Sequence, residues 1–431
     1  MSQVLFGMLV VTGRVTMLGL SRWTDTGGSY RTIQRFYQSA LPWAEMLWTF
    51  FGKLIWKPAD EYLLAGDEVV VSKAGKATYG LDHFFSSLRQ RPIVGLSFFT
   101  FSLVNVHDEQ SSPVQVTQMV KSPEEQAARQ AKARQKKAPQ SVAKKKPGRP
   151  KGSKNKDKRD KRDVALNAEL LRIQQALRAV LKTVRSVLSL KYVALDGHFG
   201  NYPRAWMVRQ EHLHLISKMR SDAALYPAFA GAYCGNGRPT QYGEKIKVRQ
   251  MDAKYLKETS SAGKLHTDIY QGQFYNKEFA FALNVVIMLK TNIETGAQAH
   301  VILFSTDLEL AYDKMIKLYS LRFQIEFNFR DAKQFWGLED FMNVKEIAVT
   351  NAANLSFFMV NFSSVLLHRF RQTQPEFSLL DLKAHYHGCR YVSETIKLLP
   401  QKPDPILLAE IFEHIARLGM VHPAFEPAST S

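Results

Sequence analysis

Residues 318–337 read LYSLRFQIEFNFRDAKQFWG and contain four polar side chains at helical intervals. Gaps of three, four and seven positions, all close to whole helical turns, separate the four residues: Tyr319, Arg322, Glu326 and Lys333. At about 100° per residue, these side chains fall within an arc of about 60°, and Arg330 points in nearly the same direction. One helix face would therefore present a carboxylate, several cations and a phenol. We interpret this face as a site for a metal ion beside a phosphate.

Upstream of this segment, two stretches predict strands that each carry an acid. Residues 62–73, YLLAGDEVVVSK, are rich in Val and include Asp67, and residues 191–197, KYVALDG, predict a short strand that ends at Asp196. A second long, aromatic strand is predicted at residues 93–106. Apolar residues at helical spacing predict a helix within residues 164–190. We expect a mixed α/β fold in which one helix, Tyr312 to Phe335, carries Glu326.

The three acids would converge if these elements form a ribonuclease-H-like fold. In that fold the first and fourth strands are neighbours, and the last helix lies beside them, so that Asp67, Asp196 and Glu326 would meet. Three carboxylates bind hard divalent cations through oxygen. Two such ions roughly 4 Å apart can activate a nucleophile and stabilise the leaving oxygen of a phosphodiester.

Each acid also has an ordinary explanation when it is taken alone. Asp67 fits a turn at the end of a strand, and Asp196 with Gly197 is a common turn pair. Glu326 fits a solvated helix position with Arg330 as its i+4 partner. The joint pattern favours the site, because each acid falls on the matching element of one fold.

The excess positive charge is concentrated in one segment. The chain has a formal net charge of +19, and residues 121–163 contribute +12 of it, with 17 Lys and Arg against five Asp and Glu. Because this segment has few large apolar residues, we expect a disordered basic insert. Its KKKPGRPKGSKNK stretch, with Arg149 and Lys151, resembles an AT-hook that enters the minor groove of DNA. A polybasic linker that binds only the phosphate backbone is the alternative.

Composition also narrows the classes of protein and of partner. Two cysteines cannot form a disulfide framework, so we expect a cytoplasmic, nucleoid-associated protein. The apolar run at residues 4–11 is too short to span a bilayer, which favours nucleic acid over membrane as the partner. No G-x-x-x-x-G-K-[ST] phosphate loop occurs, so nucleotide hydrolysis is not indicated.

Four segments together resemble one protein family. The spacing Y-x-x-R-x-x-x-E-x-x-x-x-x-x-K is similar to the signature of a large group of bacterial insertion-sequence transposases with an Asp-Asp-Glu (DDE) active site. AGDEVVVSKAGKATYGLDHFFS at 65–86 and YVALDGHFGNYP at 192–203 resemble the segments around the two aspartates of that group. HVILFSTDLEL at 300–310 resembles the strand that leads to the third region. The resemblance covers about residues 60–345, apart from the basic insert.

This resemblance implies a fold, an activity and a set of site residues. It implies a ribonuclease-H-like catalytic core with a strand-rich insertion before the Glu helix, two Mg²⁺ or Mn²⁺ ions, and a homodimer that holds two transposon ends. Asp67, Asp196 and Glu326 would be the catalytic metal ligands. The residues expected to bind DNA phosphates are Tyr319, Arg322, Lys333 and, on the same face, Arg330. The alternatives are a plain nuclease on this fold and a non-catalytic DNA-binding protein.

The predicted domain organisation has six parts. The N-terminal residues 1–60 are expected to be helical, either as a helix-turn-helix or as an ordinary bundle. The other predicted parts are the first part of the catalytic core (61–120 and 164–220), the basic insert (121–163), the strand-rich insertion (221–306), the signature helix (307–345) and a helical C-terminal region (346–431).

Overall fold

The computed structural model describes residues 1–25, 28–86, 89–128, 131, 163–232 and 240–422. Within these ranges it contains a ten-stranded mixed sheet and eleven α-helices, so the predicted α/β class is confirmed. Arg149 and Lys151, with most of the basic insert, lie outside the described residues.

The strands are numbered here in chain order. They are β1 (Tyr62–Ser72), β2 (Asp82–Ser86), β3 (Arg91–Asn105), β4 (Gln110–Gln118), β5 (Tyr192–Leu195), β6 (His214–Met219), β7 (Leu256–Ala262), β8 (Leu265–Phe274), β9 (Leu283–Asn292) and β10 (Gln298–Ser305).

The helices are numbered in the same way. They are α1 (Ser2–Val10), α2 (Met17–Trp23), α3 (Tyr30–Gln38), α4 (Trp43–Leu54), α5 (Ala168–Val184), α6 (Tyr202–Gln210), α7 (Tyr312–Leu321), α8 (Gln324–Gln334), α9 (Glu346–Arg371), α10 (Leu379–Lys397) and α11 (Pro405–Arg417).

The sheet places the two aspartate-bearing strands side by side. Strand β1 pairs antiparallel with β3 and parallel with β5, and β5 pairs parallel with β6. The other edge of the long strand β3 pairs with both β2 and β4. The expected neighbourhood of the Asp67 strand and the Asp196 strand is therefore confirmed. Beyond β6 the sheet continues through β10, β9, β8 and β7.

Helices cover both faces of the sheet. Successive side chains of β1 point to opposite faces, so alternate residues pack against different helices. Leu64, which faces one way, packs in a core with α5 and α6. On the opposite face, Leu63 and Ala65 pack with α7, whereas Val69 and Val71 pack with helices α8 and α9. Asp67 alternates in step with these four residues. It therefore lies on the face that α7, α8 and α9 cover, between two apolar clusters.

The N-terminal helices share a hydrophobic core with the C-terminal half of the chain. Asn351 of α9 donates to the carbonyls of Tyr37 and Ser39 at 2.8 Å each and accepts a 2.7 Å bond from the Trp43 indole. Because Asn351 is buried, this network fixes the end of α3 and the start of α4 against α9. The helix-turn-helix stays a prediction, and its turn includes residues 26 and 27, which are outside the described ranges. No described helix combines the length and apolarity needed to cross a membrane.

The segment expected to form one helix from Tyr312 to Phe335 is two helices. Helix α7 ends at Leu321 and α8 begins at Gln324, with a tight turn at Arg322 and Phe323. The backbone N–H groups in this turn bond three residues back, for example Phe323 to Ser320 at 3.0 Å. The prediction of a continuous helix was wrong because three-residue bonding tightens the turn and rotates the side chains beyond it.

Candidate active site

The first two acids are neighbours because of strand register. The last parallel pair between β1 and β5 joins Gly66 with Leu195, so Asp67 and Asp196 come directly after it in adjacent strands. A Cβ on Gly66 would lie 2.8 Å from Leu195 Cδ2 and 2.9 Å from Phe101 Cε1. The absence of a side chain at Gly66 therefore leaves room for the side chains of Leu195 and Phe101, which a Cβ would displace.

Asp196 is held by the strand beside it. It follows the last residue of β5, and its carbonyl accepts a 3.0 Å hydrogen bond from the Ser217 hydroxyl of β6. Ser217 is buried, so its hydroxyl is committed to this bond. The backbone after β5 is thus fixed, while the Asp196 side chain remains 46% exposed.

Glu326 reaches the same place from the first turn of α8. Two residues further on, the buried Asn328 donates to the hydroxyls of Ser111 at 2.7 Å and Ser102 at 3.3 Å. These serines lie on β4 and β3, so Asn328 ties the helix to the sheet. Sequence reasoning missed this residue. A polar residue on the apolar stripe of Ile325 and Phe329 was the sign that could have revealed it.

Arg322 lies among the three acids. Its Nη1 is 2.6 Å from Asp67 Oδ2 and 4.0 Å from Glu326 Oε1, and its Nη2 is 3.7 Å from Asp196 Oδ1. The structure therefore brings together all three acids that the sequence singled out, around one guanidinium. Asp67 is 13% exposed and Arg322 is 11% exposed, whereas Glu326 is 43% exposed. The cluster is closed on the side of β1 and open on the side of Asp196 and Glu326.

Burial and the charge of Arg322 dominate the electrostatics of Asp67 in this cluster. Burial raises the pKa of Asp67 to about 7, with Glu326 and Asp196 adding to the rise and Arg322 opposing it. Burial alone would lower the pKa of Arg322, but the carboxylates of Asp67 and Asp196 outweigh it, and the pKa is raised. Three acids thus require a cation at this position, and Arg322 supplies one positive charge.

The other predicted phosphate-binding residues have different surroundings. Tyr319 is half-buried, its ring centre is 5.8 Å from Arg322 Cζ, and burial raises its pKa, so the phenol is neutral. Lys333 donates to the carbonyl of Val70 at 3.0 Å, near the end of β1. The guanidinium of Arg330 pairs with Asp331 at 2.9 Å, outside the acidic cluster.

The donor set of the cluster fits divalent ions. Three carboxylates from two strands and one helix already surround a cation in this structure, and oxygen donors are what Mg²⁺ and Mn²⁺ prefer. Asp67, Asp196 and Glu326 are therefore the residues that could hold such ions, with Arg322 displaced from among them.

A second group of possible ligands lies at the start of β1. Asp60, His107 and Asp108 bring one ligand atom each to within 4.8 Å of one another, which among the described residues no other such group does. However, Lys57 Nζ is 2.6 Å from Asp108, and Asn105 donates to Asp60 at 2.6 Å. These acids, like Asp67 beside Arg322, would have to release a partner in order to bind an ion, so the group is a second candidate for a metal site.

Comparison with known proteins gives one match. A search of curated protein sequences found no significant similarity. A family model described as DDE superfamily endonuclease matches residues 1–272, which include Asp67 and Asp196 but not Glu326. Since the match covers more than half of the 431 residues, the chain belongs to the DDE superfamily endonucleases.

Proposed function

We propose that this protein is a DNA transposase that cleaves the ends of its element and joins them to target DNA. Family membership gives the endonuclease class and implies a ribonuclease-H-like core with divalent metals. The Y-R-E-K spacing of Tyr319, Arg322, Glu326 and Lys333 supports the narrower assignment to transposases.

The observation that carries the proposal is the meeting of Asp67, Asp196 and Glu326 around Arg322. Residues separated by more than 250 positions contact one guanidinium, from 2.6 Å to 4.0 Å. When bound between these carboxylates, two divalent ions would activate the attacking water or 3′ hydroxyl and neutralise charge at the leaving oxygen.

The chain's own groups have separate roles in this proposal. Asp67 and Asp196 present oxygens from the paired strands, and Glu326 presents its carboxylate from the opposite side on α8. Arg322, once it leaves the acids, is within reach of a phosphate and can bind it through two N–H donors. Tyr319, as a neutral phenol, donates a hydrogen bond to the same phosphate.

The strand order supports the proposed domain layout. Strands β4, β3, β1, β5 and β6 form the core in that order, with β3 antiparallel to β1. Strands β7 to β10 extend the sheet from β6 and lie, in sequence, between the second acid and the Glu326 helix. They correspond to the proposed insertion at 221–306. A homodimer that holds two DNA ends is part of the same proposal.

The test is a charge-neutral substitution at one acid. Asp196→Asn should abolish Mg²⁺-dependent cleavage of DNA that carries the element's ends, because the amide cannot replace an anionic ligand. DNA affinity, measured by fluorescence anisotropy, should stay near that of the wild type. Asp222→Asn, which changes an exposed acid paired with Arg220, is the matched control. Cleavage by Asp196→Asn at the wild-type rate would show that the triad is misassigned.

A plain nuclease is the second candidate, because the family match reports an endonuclease. The two functions differ in the fate of the cleaved ends. A transposase joins the freed 3′ ends to a target plasmid, and sequencing of the junctions detects this joining. Nicked or linear products without junctions would favour the nuclease.

A further inference from the structure

A basic cleft lies at the end of β1, on the far side of Lys333 from the acidic cluster. It has a volume of about 820 Å³. Three loops line it, together with Arg14: residues 72–78 after β1, residues 89–94 at the start of β3, and residues 339–344 after α8. We call it the β1-end cleft.

Cations from three separate segments converge on this cleft. They are Arg14, Lys73, Lys76, Arg89 and Arg91. All except Lys73 are exposed, and none of those four forms an ion pair with a described residue. Lys73 donates to the carbonyls of Glu339 at 3.0 Å and Phe341 at 2.9 Å. Burial lowers the pKa of Lys73 to about 8, and the nearby carboxylates of Asp340 and Glu339 oppose this decrease.

The two acids that line the cleft are already engaged. Glu339 lies 3.4 Å from Lys333 Nζ, and Asp340 accepts a 2.9 Å bond from the backbone N–H of Val15. Five cations therefore face two partnered acids. The excess of positive charge on this concave surface attracts a polyanion.

Strand β1 connects the acidic cluster to the cleft, so the distance between the two sites can be measured along it. The part of β1 between Asp67 and Ser72 is about 16 Å long, at about 3.3 Å per residue. Lys333, whose Nζ is 3.0 Å from the Val70 carbonyl, stands between the two ends of this path. Because one strand of DNA carries a phosphate about every 3.4 Å along the axis, this distance corresponds to about five base pairs.

We propose that the β1-end cleft binds the phosphate backbone of double-stranded DNA about five base pairs from the bond that is cleaved. The proposal takes two things from the proposed function: DNA as the substrate, and the acidic cluster as the place of cleavage. The binding of DNA in the cleft depends only on the first. The cleft has loops with exposed, separate cations rather than one enclosed pocket, which suits a continuous backbone better than a small phosphate. Contacts to phosphates carry no sequence information, so this site positions the duplex and adds affinity for any sequence.

The test removes three exposed cations that no folded contact requires. The variant Lys76→Ala/Arg89→Ala/Arg91→Ala is compared with the wild type for binding to a random-sequence duplex of about 40 base pairs, four helical turns. Affinity should fall about tenfold or more, and the slope of log K against log salt should fall by about two to three. The measurement is fluorescence anisotropy over a salt series in the full-length protein.

The matched control removes the same charge elsewhere. Lys182→Ala/Lys397→Ala/Lys402→Ala changes three exposed lysines that do not line the cleft. It should keep nearly the whole salt slope. An equal loss in both variants would overturn the proposal, because the effect would then be one of net charge. Unchanged binding of the cleft variant would overturn it as well.

The cleft variant tests the binding cleft, and Asp196→Asn tests the proposed function, so the two proposals can fail independently. If Asp196→Asn cleaves normally while the cleft variant loses affinity, the catalytic triad is wrong and the binding cleft stands. If Asp196→Asn is inactive while the cleft variant binds like the wild type, the cleft proposal fails alone.

Discussion

In the absence of a divalent ion, Arg322 has two opposing effects on the acidic cluster. It is the cation that allows Asp67, Asp196 and Glu326 to approach one another, and it occupies the space between their oxygens. Its Nε is buried and has no hydrogen-bond partner, so the side chain is not fully satisfied where it lies. A buried charge held mainly by other charges is a weak source of stability but a costly one to remove alone.

At this scale we predict that Arg322→Met lowers the free energy of unfolding of the metal-free protein by about 3 kcal/mol. The carboxylates would lose the guanidinium that lies among them, and Mg²⁺ should then stabilise the variant more than it stabilises the wild type. Urea unfolding with and without millimolar Mg²⁺ measures both effects.

Arg390→Met is the control for this prediction. Arg390 is also buried and pairs with Asp25 at 2.8 Å, but it lies on α10. Its loss should destabilise the protein without changing the response to Mg²⁺. If Arg322→Met and the wild type gain equally from Mg²⁺, the carboxylates do not form a metal site.

At the scale of elements, α8 has to be placed accurately on the sheet. It begins after a tight turn rather than as the continuation of α7, so its direction is not set by the preceding helix. Asn328 supplies the connection to β3 and β4, and Lys333 supplies one to the Val70 carbonyl of β1. Glu326 therefore owes its position to these two polar contacts together with the packing of Ile325 and Phe329 in the hydrophobic core.

We predict that Asn328→Leu lowers the free energy of unfolding by about 2 kcal/mol, because the Ser102 and Ser111 hydroxyls lose a buried partner. Cleavage should fall by more than this stability loss explains, since α8 is no longer fixed relative to β1. Asn354→Leu on α9, another buried asparagine, is the control and should reduce stability without a specific loss of cleavage. Equal activity in the two variants at matched fractions folded would refute the positioning role of Asn328.

At the scale of the whole molecule, most of the net positive charge lies in one segment of the sequence. Residues 132–162 contain 15 Lys and Arg and two Asp, a net charge of +13 out of +19. The residues that flank this segment are tied to the fold, since Lys121 pairs with Asp82 at 2.8 Å and Glu125 with Arg172 at 2.9 Å. Replacement of residues 132–162 therefore leaves the folded contacts of their neighbours intact.

We predict that replacing residues 132–162 with a neutral linker of equal length weakens DNA binding and flattens its salt dependence, with the chemistry of cleavage retained. A scrambled insert of the same composition is the control. It should keep the salt slope but lose any preference for A·T-rich duplexes, because that preference needs the Gly148-Arg149-Pro150 core. Unchanged salt dependence in the neutral variant would show that the segment does not touch DNA.

Local pattern was sufficient for most of the elements. Strands β1, β3 and β5 lie within a few residues of their predictions because alternation and Val-rich runs are local properties. Strand β2 was not anticipated, since its five residues pair only with one end of β3. The break at Arg322 and Phe323 was missed because a prediction from helical spacing assumes the same rise and rotation for every residue of the segment.

The amino-acid sequence by itself determined the α/β class and the strands that lead to Asp67 and Asp196, and it singled out the three acids that lie around Arg322. The spacing of apolar residues gives the period of the pattern, and the period distinguishes a helix from a strand. Only the tertiary structure decided that Arg322 lies among the acids, that Asn328 holds α8 to the sheet, and that five cations meet at the end of β1. These features depend on contacts between residues up to hundreds of positions apart, and no local pattern records which distant side chain will fill a given space.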